Sequence, residues 1–134
     1  MRDSCIENIL LGKTAPHTHR YKAITTIVQS IKGGTVRCQG SWENAFVSTL
    51  DVDKSVVSFT KDKIRIPYLL NNEQYIYIVD FLVTYSCGKK ELIEIKPAKL
   101  TETDENIAKF AAARTWCAEN NATFVVLTEN ELFL

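Results

Sequence analysis

The sequence predicts an α/β domain: a mixed β-sheet flanked by helices. A long run of β-branched and aromatic residues at 75–85, followed by a turn and a second strand at 91–96, predicts an antiparallel hairpin. A helical pattern after Thr103 leads into an apolar segment at 123–127, which predicts a parallel crossover. The length of 134 residues, with 46% hydrophobic content, suits one domain with one core.

Residues 1–40 form a basic leader. They contain six Lys/Arg and two Asp/Glu, whereas residues 41–134 contain ten and fourteen, so the leader carries +4 and the body −4. This leader could bind DNA phosphates, with Lys32 and Arg37 as the candidate DNA-binding residues. Alternatively, it could be a solvated and partly disordered segment. His17 and His19 lie in this polar leader, and we expect them to be solvent-exposed rather than metal ligands.

The leader also contains a hairpin signal, and a compact domain is predicted at 41–134. The hairpin at 22–39 turns through Gly33-Gly34. Ser41 is the expected N-cap of a helix at 41–50, with Trp42, Phe46 and Leu50 on one face.

The next segments predict β-structure. We expect short strands at 56–59 and 64–70, joined by a connector at Lys61-Asp62-Lys63, and Pro67 indicates an edge strand or a bulge. Asn71-Asn72 predicts a turn into the strand at 75–85.

The C-terminal third predicts a helix, a buried strand and a last helical turn. Thr103 caps the helix and Asn120-Asn121 ends it. Lys109 falls on its predicted solvated face. The apolar stripe consists of Ile107, Ala108, Ala111, Ala112 and Trp116, the strand is at 123–127, and the last turn is at 129–132.

Composition narrows the classes of protein. Four cysteines are scattered without a C-x-x-C pair, which favours reduced thiols over structural zinc or disulfides. No apolar run is long enough to span a bilayer, and no secretory signal is visible at the start. We therefore expect a cytoplasmic protein without a membrane partner.

The predicted hairpin brings two acids together. With Ser86-Cys87-Gly88 as a three-residue turn, Leu82 pairs with Leu92 and Asp80 with Glu94. Strand alternation places Asp80 on the face of Leu82, and it places the neighbouring odd-numbered residues of the strand on the opposite face. Those residues are Tyr77, Val79, Phe81 and Val83.

Two opposed carboxylates within apolar runs are unfavourable for stability. A divalent cation between them removes the repulsion, and hard oxygen ligands suit Mg²⁺ or Mn²⁺. Lys96 points the same way as Glu94, and Glu43 in the first helix could supply a further carboxylate. The alternative is that D-x(n)-E-x-K occurs by chance and that Glu94 and Lys96 form ion pairs on an exposed face.

These residues resemble the core of the PD-(D/E)XK nucleases. The surrounding motifs resemble TnsA-type nucleases of transposons and, more closely, the head-completion nucleases of contractile-tailed phages. The motifs, which cover about residues 35–134, are Val36–Glu43, Leu50-Asp51, Val57-x-Phe59, Ile66-Pro67-Tyr68, Tyr77-x-Val79-Asp80-Phe81, Leu92–Pro97, Lys109 and Phe124-x-Val126–Glu129.

The resemblance implies a restriction-endonuclease-like fold and Mg²⁺-dependent hydrolysis of DNA, with Mn²⁺ as a substitute. Glu43, Asp80 and Glu94 correspond to the metal-binding acids, the backbone carbonyl of Ile95 to a further ligand, and Lys96 to the catalytic lysine. Lys109 corresponds to an accessory polar residue. Val79 stands where the family usually has proline, a departure at a position that is not a ligand.

The resemblance leaves several roles open. The first is processing of DNA ends at a phage head, in a bacterial cytoplasm or with the virion, alongside head or neck proteins. The second is a transposon end-cleavage subunit that needs a partner transposase. The third is a non-catalytic DNA-binding or virion module on the same scaffold. A homodimer is compatible with cutting both strands.

Overall fold

The computed structural model describes residues 24–133, which form an α/β structure with two sheets. The predicted fold class is confirmed. One sheet is a β1–β2 hairpin, and the other is four-stranded in the order β3-β4-β5-β6. The elements are β1 (Thr25–Ser30), β2 (Gly34–Gln39), α1 (Gly40–Val52), β3 (Val56–Leu70), β4 (Glu73–Tyr85), β5 (Lys90–Ile95), a 3₁₀ turn (Ala98–Leu100), α2 (Asp104–Glu119), β6 (Thr123–Leu127) and α3 (Glu129–Leu132).

The β1–β2 hairpin confirms the turn predicted at Gly33-Gly34. The prediction of Ser41 as the N-cap of α1 is wrong, because the N-cap position is Gln39, whose side chain makes no capping hydrogen bond. The carboxylate of Glu43 instead accepts a hydrogen bond from the Gln39 N–H. The predictions for His17, His19 and the start of the leader lie outside the described residues, and the division at residue 40 stays a prediction.

β3 is one strand of 15 residues, not two strands with a connector. Its register against β4 shifts twice: Val56 pairs with Tyr85 but Ser58 with Thr84, and Lys61 pairs with Phe81 but Ile64 with Val79. Each shift inserts one extra residue in β3, which defines a β-bulge. The second bulge contains Asp62, whose φ is 58°. β3 is an edge strand, as Pro67 predicted.

The β4–β5 hairpin has the predicted register. Leu82 pairs with Leu92, and the Tyr85 N–H donates to the Lys89 carbonyl at 2.9 Å. Gly88 has a φ of 93°, so it occupies the left-handed position expected of the last turn residue. The Asn71-Asn72 turn is also confirmed, and both residues have positive φ, as a tight two-residue hairpin requires.

The crossover is confirmed, since β5 and β6 pair in parallel and α2 joins them. Thr103 caps α2 by accepting a hydrogen bond from the Asn106 N–H. The predicted stripe is confirmed only in part. Ala108, Ala112 and Trp116 are half-buried against the core, but Ile107 and Ala111 are exposed. The buried residues of the helix are Asn106, Lys109, Phe110, Ala113 and Cys117. β6 is also less buried than predicted: Thr123 is exposed and the other four residues are half-buried.

Two hydrophobic cores cover the two faces of the four-stranded sheet. In the first core, the ring of Phe46 in α1 packs edge-on against the ring of Phe81, with 5.0 Å between the ring centres. Val36 and Cys38 of β2 belong to the same core. In the second, Phe110 of α2 contacts Tyr77 and Phe124. Within residues 24–133, no helix is long and apolar enough to cross a membrane.

The alternation of β4 changes phase at Asp80. Phe81 and Val83 belong to the core under α1, whereas Tyr77 and Val79 belong to the core under α2, although all four are odd-numbered. The prediction that they share one face is therefore wrong. The bulge of β3 lies directly opposite this point, and bulges increase local twist and redirect side chains.

Candidate active site

The backbone ladder between β4 and β5 ends one residue short of the two predicted acids. Its last pair is Phe81 with Ile93. Beyond it, the Asp80 N–H donates to Glu94 Oε1 at 3.2 Å, and the Ile95 N–H donates to Asp80 Oδ2 at 2.8 Å. Each acid therefore accepts a hydrogen bond from the backbone of the opposite strand.

This exchange satisfies two buried N–H groups that would otherwise lack partners. It also fixes the carboxylates, because Asp80 is 8% exposed and Glu94 is 5% exposed. Each bond uses one oxygen of its carboxylate. Two acids are thus held side by side in the interior, an arrangement that burial and charge repulsion both disfavour.

Lys96 lies beside this pair. Its ammonium is 3.7 Å from Glu94 Oε2, and the residue is 3% exposed. The Lys96 N–H donates to the Leu127 carbonyl at 3.0 Å, so the backbone of β6 holds the residue in place just before Pro97. Glu94 and Lys96 form an ion pair, but both residues are buried, which contradicts the alternative that they pair on an exposed face.

Glu43 reaches the same region from α1. Its Oε1 accepts hydrogen bonds from the Gln39 N–H at 2.7 Å and from Lys61 Nζ at 3.0 Å. Burial raises the pKa of Glu43 to about 7; the negative charge of Asp80 adds to the rise and the Lys61 ammonium opposes it. The Glu43 and Asp80 carboxylates are therefore electrostatic neighbours.

Lys61 is a site residue that the sequence predictions missed. Its side chain is 6% exposed, and its ammonium contacts Glu43 Oε1 and Asp62 Oδ2 and lies 5.7 Å from the centre of the Phe81 ring. Burial disfavours the charged lysine, yet the charges of Glu43, Asp80 and Asp62 outweigh burial and raise its pKa. Strict alternation from Phe59 would have placed Lys61 inward.

Lys109 is buried on the inner face of α2, so the expectation of a solvated side chain is wrong. Its ammonium is 2.8 Å from Glu105 Oε2 and 5.5 Å from the centre of the Tyr77 ring. The two predicted DNA contacts lie in the β1–β2 hairpin: Arg37 is exposed, and Lys32 Nζ donates to the Asp53 carbonyl.

The donor set is made of hard oxygens. As the side chains stand, no three His, Cys, Asp or Glu residues among positions 24–133 group closely enough to hold a metal ion. Glu43 Oε1 is bonded to the Gln39 N–H and the Lys61 ammonium. Asp80 and Glu94 nevertheless lie side by side, and carboxylate oxygens are the ligands that hard divalent cations prefer.

The sequence matches the model of one known protein family. Residues 53–129 match the model of a family described as TnsA-like endonuclease N terminal, which covers more than half of the chain. The match includes β3 to β6, and with them Asp80, Glu94 and Lys96. No curated protein matches the chain.

Proposed function

The chain belongs to the TnsA-like endonuclease family, and from this premise we propose that it is a divalent-metal-dependent deoxyribonuclease that hydrolyses DNA phosphodiester bonds. The observation that carries the proposal is the reciprocal exchange at the open end of the β4–β5 hairpin, where Asp80 and Glu94 each accept a hydrogen bond from the opposite strand. That arrangement fixes two buried carboxylates against their mutual repulsion, which stability alone does not require.

Asp80, Glu94 and the backbone carbonyl of Ile95 would hold Mg²⁺ or Mn²⁺, with Glu43 as a further carboxylate. Oxygen ligands of this kind are preferred by hard divalent cations. When bound, the cation supplies polarisation of the phosphate and lowers the pKa of the attacking water.

Lys96 supplies positive charge to the reacting phosphate. Its ammonium is buried beside Glu94, where water screens it little, so its field at a phosphate is stronger than that of a surface lysine. The Glu94 carboxylate holds the ammonium in place, and the ammonium can position the attacking water and stabilise the negative charge that develops on the phosphate. Lys109 lies further along the sheet, against Tyr77, and we assign it an accessory role.

We place the reaction in the processing of DNA ends, as in phage head completion, with weak sequence preference. A transposon end-cleavage subunit is the second candidate, and the family description favours it. The two candidates differ in partner dependence, because a subunit of a transposase needs its partner for cutting and an end-processing nuclease does not. The same proposal includes contacts of Arg37 and Lys32 with DNA and a homodimer. It also places the protein in the bacterial cytoplasm or in the virion.

A cleavage assay tests the proposal. Purified protein is incubated with supercoiled and with branched linear DNA in Mg²⁺, in Mn²⁺ and in EDTA, beside the variants Asp80→Ala and Lys96→Ala. We expect cutting in both metals, none in EDTA, and losses of at least about 10²-fold in both variants.

Two results would contradict the proposal. Equal cutting in EDTA would exclude metal dependence, and undiminished cutting by Asp80→Ala would exclude this site. Lys63→Ala is the matched control, since Lys63 is an exposed lysine of β3 and should retain most of the activity. Cutting that appears only when a transposase partner is added would select the second candidate.

A further inference from the structure

Lys61 lies among three carboxylates in the core under α1. It makes ion pairs with Glu43 at 3.0 Å and with Asp62 at 2.8 Å, and its charge interacts with Asp80. Strand alternation places it there, because β3 stays in register with β4 from Phe59 to Lys61, and the extra residue of the bulge comes only after Lys61. One side chain of the protein therefore offsets part of the local negative charge of these acids.

The contacts of Glu43 show what this ammonium does. Oε1 of Glu43 receives both the Gln39 N–H and the Lys61 ammonium, so the carboxylate is held towards β2 and β3. A carboxylate in such a charge-assisted hydrogen bond cannot coordinate a cation through that oxygen without losing the bond. Lys61 and a divalent cation would therefore compete for the same carboxylates.

We propose that Lys61 is the internal counter-cation of the active site: it holds Glu43 and stabilises the acids before metal binds, and it weakens metal binding in return. The inference rests on the proposed function, because it assumes that Asp80 and Glu94 bind a divalent cation. Lys61 is a positioning residue in this scheme, since it acts through Glu43.

Linkage gives the proposal a measurable form. A group that stabilises the metal-free state more than the metal-bound state lowers metal affinity by the same factor. Replacing Lys61 with methionine keeps an unbranched side chain that is one heavy atom shorter, and it removes the charge. The variant should be less stable without metal and should bind metal more tightly, a combination that a purely structural residue does not produce.

The experiment compares wild type, Lys61→Met, Glu43→Gln and the double variant. Thermal unfolding in EDTA measures stability, and calorimetric titration with Mn²⁺ measures affinity without any need for cleavage. We expect Lys61→Met to lower Tm by roughly 10 °C, because it leaves buried acids uncompensated. The double variant should recover most of that loss, and the Mn²⁺ affinity of Lys61→Met should rise about tenfold.

Lys63→Met is the matched control, because Lys63 is exposed two residues away on β3 and should change neither quantity. An unchanged or weaker Mn²⁺ affinity in Lys61→Met would overturn the competition. Additive losses in the double variant would overturn the pairing with Glu43. When Lys61→Met alone fails to fold, a double variant that also fails to fold would overturn the pairing. If wild type binds no Mn²⁺, both the metal dependence in the proposed function and the competition proposed here fail. The unfolding measurements in EDTA still decide whether Lys61 and Glu43 stabilise each other.

Discussion

The two ends of the β4–β5 hairpin are held together by different groups. At the turn end, backbone bonds close the hairpin: the Tyr85 N–H donates to the Lys89 carbonyl, and the Gly88 N–H donates to the Tyr85 carbonyl, both at 2.9 Å. At the open end, the carboxylates of Asp80 and Glu94 replace the ladder. The turn end follows the rules of an ordinary β-hairpin, and the open end departs from them.

The difference separates residues that stabilise the fold from residues that the proposed active site would require. The turn end also has an acid, Glu91, whose carboxylate accepts a hydrogen bond from the Tyr85 hydroxyl at 2.6 Å. That acid also lies 3.5 Å from the Lys89 ammonium, and its side chain is 19% exposed. Glu94 is three residues further along the same strand, buried and opposed to a second acid. Local departures of this kind are expected at functional sites.

The largest predicted effect compares these two acids of β5. Glu94→Gln keeps an oxygen to accept the Asp80 N–H but removes the charge, so we expect the fold to remain and cleavage in Mg²⁺ to fall by about 10²-fold or more. Glu91→Gln, the matched control, should keep cleavage within about twofold, because Glu91 lies at the turn end and glutamine keeps an oxygen to accept the Tyr85 hydroxyl.

Initial rates on one DNA substrate, with circular dichroism to verify folding, measure both variants. Similar losses in the two would contradict the comparison, because they would mean that any charge change in β5 disturbs the site. Full activity in Glu94→Gln would remove this carboxylate from the proposed chemistry.

The next effect concerns stability at the turn end. Gly88 has a φ of 93°, and an added Cβ would meet no atom within 4 Å, so Gly88→Ala introduces backbone strain without a clash. We expect a loss of about 1–2 kcal/mol in the free energy of unfolding, measured by urea denaturation, with cleavage per folded molecule unchanged. Ser86→Ala in the same turn is the control. A matching loss of activity would indicate that the turn itself positions the acids.

The sequence predicted the turn end because its signals are local. Gly88, the Leu82–Leu92 pair and the opposition of Asp80 to Glu94 follow from turn length and strand alternation. The candidate residues Asp80, Glu94 and Lys96 came from the same hairpin. Predictions of this kind need only the residues between two adjacent strands.

Lys61 could not be placed in this way. Its segment, Lys61-Asp62-Lys63, has the composition of a connector, so the pattern did not indicate that the strand continues through it. Only in the continuous β3 does alternation from Phe59 place Lys61 inward. Lys109 was misplaced because a hydrophobic pattern treats every lysine as polar, whereas its ammonium lies over the Tyr77 ring and pairs with Glu105. Both errors concern charged groups whose partners come from distant segments.

Asp51, near the end of α1, is a third carboxylate that accepts hydrogen bonds from backbone N–H groups, but it lies outside the candidate site. At the tip of the β1–β2 hairpin it accepts hydrogen bonds from the Ser30 hydroxyl at 2.6 Å and from the N–H groups of Ile31 and Lys32 at 3.3 and 3.2 Å. Burial would raise the pKa of Asp51, but these hydrogen bonds outweigh it and lower the pKa below the ordinary value of 3.8.

The smallest effect is therefore the pH dependence of Asp51→Asn. A depressed pKa in the folded state contributes stability above the unfolded pKa and loses it as pH falls through the folded pKa. We expect Asp51→Asn to unfold about 1 kcal/mol more easily at pH 7, and the difference should shrink below about pH 4. Urea unfolding followed by tryptophan fluorescence measures it, with exposed Glu119→Gln as the control. A difference that is constant with pH would mean that Asp51 acts by shape alone, and a loss of cleavage would mean that the hairpin contributes to the site.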